Sequence, residues 1–278
     1  MSSTSLEVHP QLFFCRILYG TALTAGMASI FLLLDWLSLD GPLFDGVYFP
    51  ERRMKLHVMA MCSFLVVNNG LAICMYRAYR GTKKLYTKGI HSLMHFINVI
   101  FIIFGLKAAF DAHNYHKTAD GAPAPRPNLH SSHSWIGLAT CILYTIQYLS
   151  GLVIYGLHFT SPADRKRNMP MHRAFGLVLF GMAFAVTMMG ITQYSIWHTT
   201  CPDWYCMDRI VVNALSLSLT IFFLCVVIIV HRPEWRRLPL PEEVEKPLES
   251  ASLTSVDTSV KSKRILDSGS ISHSEFDR

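Results

Sequence analysis

Thirteen histidines occur in this 278-residue chain. Several fall at the ends of long apolar runs or inside them, where ionisable side chains are costly and functional by default. Four open such runs: His57, His91, His133 and His172. An imidazole in that place can hold a hydrogen bond at a membrane surface, relay a proton, or give a nitrogen lone pair to a metal. For one boundary histidine the surface hydrogen bond is the simplest role. Four of them, at alternating ends of successive runs, favour ligation.

The elements that must position them follow from composition. The chain is 51% hydrophobic and only 16% charged, with a mean hydropathy of +0.31, more apolar than the surface of a soluble domain allows. Six runs approach the ~20 apolar residues that cross a bilayer core: 17–36, 57–76, 91–110, 135–156, 175–197 and 210–230. Each is expected to be a helix, since hydrocarbon offers no partner to open backbone groups. The first lacks a small-residue cleavage site and ends on Asp35 and Trp36, so it reads as a span and not a signal peptide. The fold class is therefore all-α integral membrane, with six transmembrane helices. Residues 1–16 form a short N-terminus, 17–237 the membrane domain, and 238–278, rich in Pro, Glu, Ser and Lys, a disordered tail.

Basic residues orient the bundle. Arg77, Arg80, Lys83, Lys84 and Lys88 follow the second span, Arg165, Lys166 and Arg167 the fourth, and Arg232, Arg236 and Arg237 the sixth. The opposite loops mix signs. Both termini are thus expected to be cytoplasmic, in a plasma membrane or an endomembrane. The net charge of +6 reflects this bias, and acidic lipid headgroups account for it without a nucleic-acid partner.

With alternating spans, His57 and His133 come near the outer face, and His91 and His172 near the inner face. Each pair joins non-consecutive helices of a central four-helix bundle, a standard place for a cofactor. Two imidazoles on opposite sides of a planar macrocycle fill both axial positions of a haem iron, which suits electron transfer over oxygen chemistry. Two such centres would divide a ~30 Å barrier into shorter steps. No Cys-x-x-Cys-His occurs, so any haem is not attached through that motif. Four cysteines in or beside spans, Cys15, Cys62, Cys74 and Cys141, read as packing residues. Cys201 and Cys206 share the last outer loop, where a disulfide and two free thiols are both open. His95 reads as a hydrogen-bond partner or a neighbour of the macrocycle edge; His158 and His198 read as interfacial; His9, His231 and His273 as solvated.

Along the same residues the chain resembles the cytochrome b561 family of ascorbate-dependent transmembrane oxidoreductases. The resemblance covers about residues 15–237. It rests on Tyr76-Arg77-x-Tyr79-Arg80, Lys88-x-x-His91, Phe110-Asp111-x-His113, His133-Ser134-Trp135-x-Gly137, Gln147-x-x-Ser150-Gly151 and Met169-Pro170-x-His172. It implies two non-covalent b-type haems in a homodimer of six-helix subunits, with His57 and His133 as outer ligands and His91 and His172 as inner ones. It also implies a cytoplasmic ascorbate site at Lys84 and Lys88, with Arg77 and Arg165 near it. Ascorbate is a monoanion, which clustered cations would attract and orient. On the outer face, His113 and Asn114 match positions near a second substrate site, for monodehydroascorbate or a ferric chelate. Departures from the pattern are Val58 after His57, Ser131-Ser132 before His133, and Gln193 where Glu is frequent. The implied activity is electron transfer from cytoplasmic ascorbate to an acceptor on the opposite face.

Two rivals stand beside this reading. A proton or metal-ion transporter would use membrane histidines without haem. A di-iron centre would use His91-x-x-x-His95, His113-x-x-His116 and His130-x-x-His133, but the first of these lies at the inner face and the others at the outer.

Overall fold

A backbone N–H inside hydrocarbon has no water to bond, so long apolar segments close their hydrogen bonds within helices. The computed structural model describes residues 10–157, 159–198 and 206–237. Among them, six helices are long and apolar enough to cross a membrane. They are α1 (Pro10–Leu39), α2 (Met54–Ala78), α3 (Lys84–Asn114), α4 (Ser132–Gly156), α5 (Pro162–His198) and α6 (Met207–His231). The disulfide question falls partly outside this range: Cys201 is not described, while Cys206 is disulfide-bonded and Cys15, Cys62, Cys74, Cys141 and Cys225 are buried free thiols. His9, His158, His273 and the expected disordered tail also lie outside the described residues.

Helices α2, α3, α4 and α5 form the expected central bundle, and α1 and α6 pack along each other against α2. Helix α2 is the axis of the arrangement. Two-thirds of its most apolar window (67%) is buried, against 17% for α4, which leaves most of α4 facing lipid. The α1–α2–α6 side is filled by Leu33, Val66, Leu215, Leu219 and Phe222, and a second cluster of Met61, Leu65, Ile102, Cys141, Tyr144 and Ala183 fills the bundle proper.

The helices outrun the apolar stretches. His91 and His172 were expected to open spans, but α3 starts at Lys84 and α5 at Pro162, so these two histidines sit seven and ten residues inside their helices. Polar flanks continue a helix into the interface because the backbone is already ordered and propagation is cheap. Pro170 lies eight residues inside α5, where it cannot donate the helix bond toward the carbonyl of Lys166. Two segments wind wider than α, Met61–Asn68 in α2 and Leu152–Gly156 at the end of α4; such π-turns are often found at functional sites.

Ion pairs fix the outer ends. Buried Asp111 accepts from Arg53 and, at 2.7 Å, from Lys107, clamping the start of α2 to the end of α3. Lys117 reaches Glu51 at 2.9 Å and holds its carboxyl below the usual carboxylate range, which ties the long outer loop to the turn before α2. At the inner end, Arg77 donates to the carbonyls of Arg232 and, at 2.8 Å, Val230, filling acceptors that the end of α6 leaves open.

The contact of α2 with α6 depends on one missing side chain. A Cβ on Gly70 would lie 2.6 Å from the ring of Phe222 and 3.1 Å from that of Phe180, both fully buried and unable to swing aside. We predict that Gly70→Ala costs about 1–3 kcal/mol through overpacking and lowers the thermal midpoint in detergent. Gly181→Ala, in open space, should leave that midpoint unchanged.

Candidate metal centres

The outer pair is built from the ends of two helices. His57 stands one turn into α2. His133 is the second residue of α4, whose start is fixed by a capping box: Ser131 Oγ accepts from Ser134 N at 3.3 Å, and Ser134 Oγ accepts from Ser131 N at 3.1 Å. The two rings face each other with centroids 6.3 Å apart and planes at 84°. A metal–imidazole bond of ~2 Å on each side would set opposed ring centroids roughly 6 Å apart, so the separation leaves room for one metal between them.

The nitrogens are sorted by what they touch. His57 Nδ1 is 3.0 Å from the Gly105 carbonyl of α3, and His133 Nδ1 is 3.0 Å from the Val186 carbonyl of α5. A carbonyl only accepts, so each ring carries its proton on Nδ1 and keeps its lone pair on Nε2, the usual arrangement for a metal-ligating histidine. The close approach of His133 requires Gly190, one turn after Val186: a Cβ there would fall 2.6 Å from the imidazole. The rings border a cavity of about 1070 Å³, open mouth included, lined mainly by apolar side chains. Buried Thr187 Oγ1, which lines the cavity, has no hydrogen-bond partner among the described residues.

The inner pair has a parallel construction with one difference. His91 Nδ1 is 2.8 Å from the Ala72 carbonyl of α2, again leaving Nε2 free. His172 lies within electrostatic range of His91, and its ring rests above Gly151, where a Cβ would be 3.1 Å away. Here, however, Nδ1 faces Gln147 Nε2 at 3.1 Å, and the same amide nitrogen donates to the His172 carbonyl at 2.8 Å. This ring is offered a donor where the other three are offered an acceptor. A neutral ring accepting at Nδ1 keeps its proton on Nε2, so ligation by that nitrogen requires the proton to leave. The Tyr155 ring lies 5.1 Å from His172, and its buried hydroxyl has no partner among the described residues.

The residues present fit a planar, doubly ligated iron group: opposed imidazoles, free Nε2 lone pairs on three rings, glycine-cleared approaches, and one unpartnered hydroxyl beside each pair. The anchoring carbonyls, Gly190, Thr187 and Tyr155 were not anticipated from sequence. The glycine-after-one-turn spacing of Gln147 and Gly151 was visible as a motif, but its purpose was not.

The predicted substrate residues divide. Lys88 lies within electrostatic range of Arg165 and Lys84, and Arg173, unremarked in the sequence, within that of His172. Arg77 is occupied in capping α6, and Arg165 also donates to the Thr160 carbonyl at 2.6 Å. Outside, His113 lines the cavity beside His130, and both Nδ1 atoms are held by the Pro127 carbonyl, at 3.2 and 3.0 Å. Asn114 instead accepts from Asn128 at 2.8 Å and braces the loop. Gln193 lines the same cavity. No group of three or more His, Cys, Asp or Glu converges on a metal site among the described residues.

Fold and site together define a class: a six-span, all-helical membrane protein whose central bundle brings His57 and His133 ring to ring at one end and holds His91 within electrostatic range of His172 at the other. The chain matches eukaryotic cytochrome b561 over residues 56–198, and it belongs to that family, which implies b-type haem. It is 33% identical over 221 residues to a putative transmembrane ascorbate-dependent reductase, a CYB561 homolog of Caenorhabditis elegans, covering 78% of this chain and 83% of the relative. It is 32% identical to the plasma membrane ascorbate-dependent reductase CYBRD1 of Xenopus laevis, over 92% of this chain and 88% of the relative. The human transmembrane ascorbate-dependent reductase CYB561 is 28% identical, over 75% and 80% respectively.

The outer centre can be tested through its glycine. Gly190→Val should displace His133 and halve the haem per chain in a pyridine haemochrome assay, whereas Gly181→Ala should leave the content at the wild-type value.

Proposed function

We propose that this chain is an ascorbate-dependent transmembrane reductase. It takes an electron from ascorbate at the cytoplasmic face and delivers it to monodehydroascorbate or a ferric chelate on the other. The observation that carries the reading is the four-histidine arrangement: one pair at each end of one bundle, each ring held from a neighbouring helix. Two non-covalent b-type haems, one between His57 and His133 and one between His91 and His172, would supply the one-electron redox chemistry.

The rest is done by the protein. Lys88, with Lys84 and Arg165 as its neighbouring cations, attracts the ascorbate anion and holds it beside the inner pair. Clustered like charges destabilise one another, and an anion relieves that repulsion. The apolar bundle keeps water from the path between the pairs. On the far side, His113 and His130 stand at the cavity mouth with their Nε2 atoms available to an acceptor. Both termini are cytoplasmic in this reading, and the unit is a homodimer in a plasma membrane or endomembrane.

Three measurements test it. Lys84→Ala with Lys88→Ala should slow reduction by ascorbate about tenfold or more, because charge-assisted contacts contribute about 1.5–3 kcal/mol each, and should leave reduction by dithionite unchanged. Unaltered ascorbate kinetics would reduce both lysines to topology determinants. Vesicles loaded with ascorbate, with the protein's cytoplasmic side inward, should reduce external ferricyanide, and His57→Ala vesicles should do so far more slowly. Equal rates would remove the two-centre relay, and a reduced-minus-oxidised spectrum without a b-type signal would remove the redox reading altogether.

A further inference from the structure

A line of polar side chains crosses the interior between α2, α3 and α4. Asn98 is fully buried and Tyr144 nearly so, in a region where each unpaired polar group costs several kcal/mol. Its hydrogen bonds run in one direction, and a backbone carbonyl sets that direction. Asn68 Nδ2 lies 3.1 Å from the Met94 carbonyl. A carbonyl only accepts, so the Asn68 amide must present nitrogen to α3. The same nitrogen reaches Asn98 Oδ1 at 2.7 Å, which turns the Asn98 nitrogen toward Tyr144, to whose hydroxyl it donates at 2.7 Å. The phenol oxygen therefore receives a hydrogen, and its own proton goes to its other partner, His95 Nδ1, at 2.5 Å.

His95 is thus fixed with its proton on Nε2. This is the opposite tautomer to His57, His91 and His133, whose Nδ1 atoms face carbonyls. In this tautomer, as in His172, Nε2 would have to lose its proton before it could bind a metal, whereas His91, four residues away on the same helix face, keeps its Nε2 lone pair. What remains is a permanently oriented N–H donor. The His95 ring packs 4.4 Å from the His91 ring at 77°, and it lies within electrostatic range of both His91 and His172.

We propose that His95 is a positioning residue of the inner centre: Asn68, Asn98 and Tyr144 hold it as a neutral Nε2–H donor beside His91, and this dipole favours the reduced state of the iron held there. The inference rests on the reading of His91 as an iron ligand. A positive dipole end near a redox centre stabilises an added electron, and hydrogen bonding around a centre is one of the protein's means of setting its potential. The donor also needs an acceptor, since a buried N–H is rarely left unpaired.

The test uses the full-length haem-loaded protein. Tyr144→Phe removes only the hydroxyl. It should preserve haem content and the outer centre's potential, while shifting the inner centre's reduction equilibrium about tenfold toward the oxidised form, which is 59 mV for one electron. His95→Leu should do the same, and His95→Gln, which keeps an N–H at similar reach, should restore most of the shift. Nitrogen-15 histidine spectra of the unaltered protein should show His95 protonated at Nε2, a readout that does not depend on any variant folding. A His95 signal protonated at Nδ1, or inner potentials unmoved in both Tyr144→Phe and His95→Leu, would overturn the proposal. If instead His91→Ala keeps its full haem content while His95→Leu loses one haem, the ligand reading itself fails.

Discussion

The constraint on which the rest depends is a hydrogen bond between an imidazole and the helix beside it. A neutral imidazole that gives one lone pair to a metal keeps the proton on its other nitrogen, and in hydrocarbon there is no water to stabilise that choice. The bundle makes it with main-chain carbonyls: Gly105 for His57, Ala72 for His91 and Val186 for His133. These bonds also explain the pairing of helices. The supports run between α2 and α3 in both directions, and between α4 and α5 likewise, with Gln147 serving His172. The ring contact of His57 with His133 is then bridged across two such units, so neither unit can shift without disturbing it.

Such bonds require backbone and ring to approach closely, and that requirement selects glycine. Gly190 follows Val186 by one helical turn, and Gly151 follows Gln147 by the same step. In both cases the turn above the anchoring group must lack a side chain, because the imidazole occupies that volume. The conformational penalty of glycine in a helix, about 0.5–1 kcal/mol relative to alanine, is small beside the overpacking that a Cβ at 2.6 Å would impose.

Much of this was legible in the sequence. Six apolar runs gave the helical class and the span count, because the bilayer fixes both the length and the secondary structure of what crosses it. The alternation of histidines between faces anticipated the facing rings of His57 and His133. Less legible was anything set by contacts between helices. Sequence put His91 and His172 at the start of their spans, because hydropathy marks where hydrocarbon begins and not where a helix does. Arg77 matched a basic position near the anion site of Lys88, and it fills the carbonyls at the end of α6. Charge alone cannot separate a cation that caps a helix from one that faces solvent. The support of the outer pair by Val186 is a main-chain contact, so no residue type announces it.

The same logic accounts for the different fates of His91 and His95. One turn apart on α3, they are equivalent by residue type, spacing and depth. Their environments differ by one atom class: His91 Nδ1 meets a carbonyl, and His95 Nδ1 meets a hydroxyl. The hydroxyl could serve as donor or acceptor, and it is forced to donate because Asn98 already donates to it, Asn98 being turned by Asn68, and Asn68 by Met94. A role for the fifth membrane histidine is therefore decided three side chains away, at a carbonyl whose orientation the helix fixes. In a solvated site, water would relax each of those choices independently. In a buried one they are coupled, which is why two asparagines and a tyrosine can govern which nitrogen of His95 carries the proton.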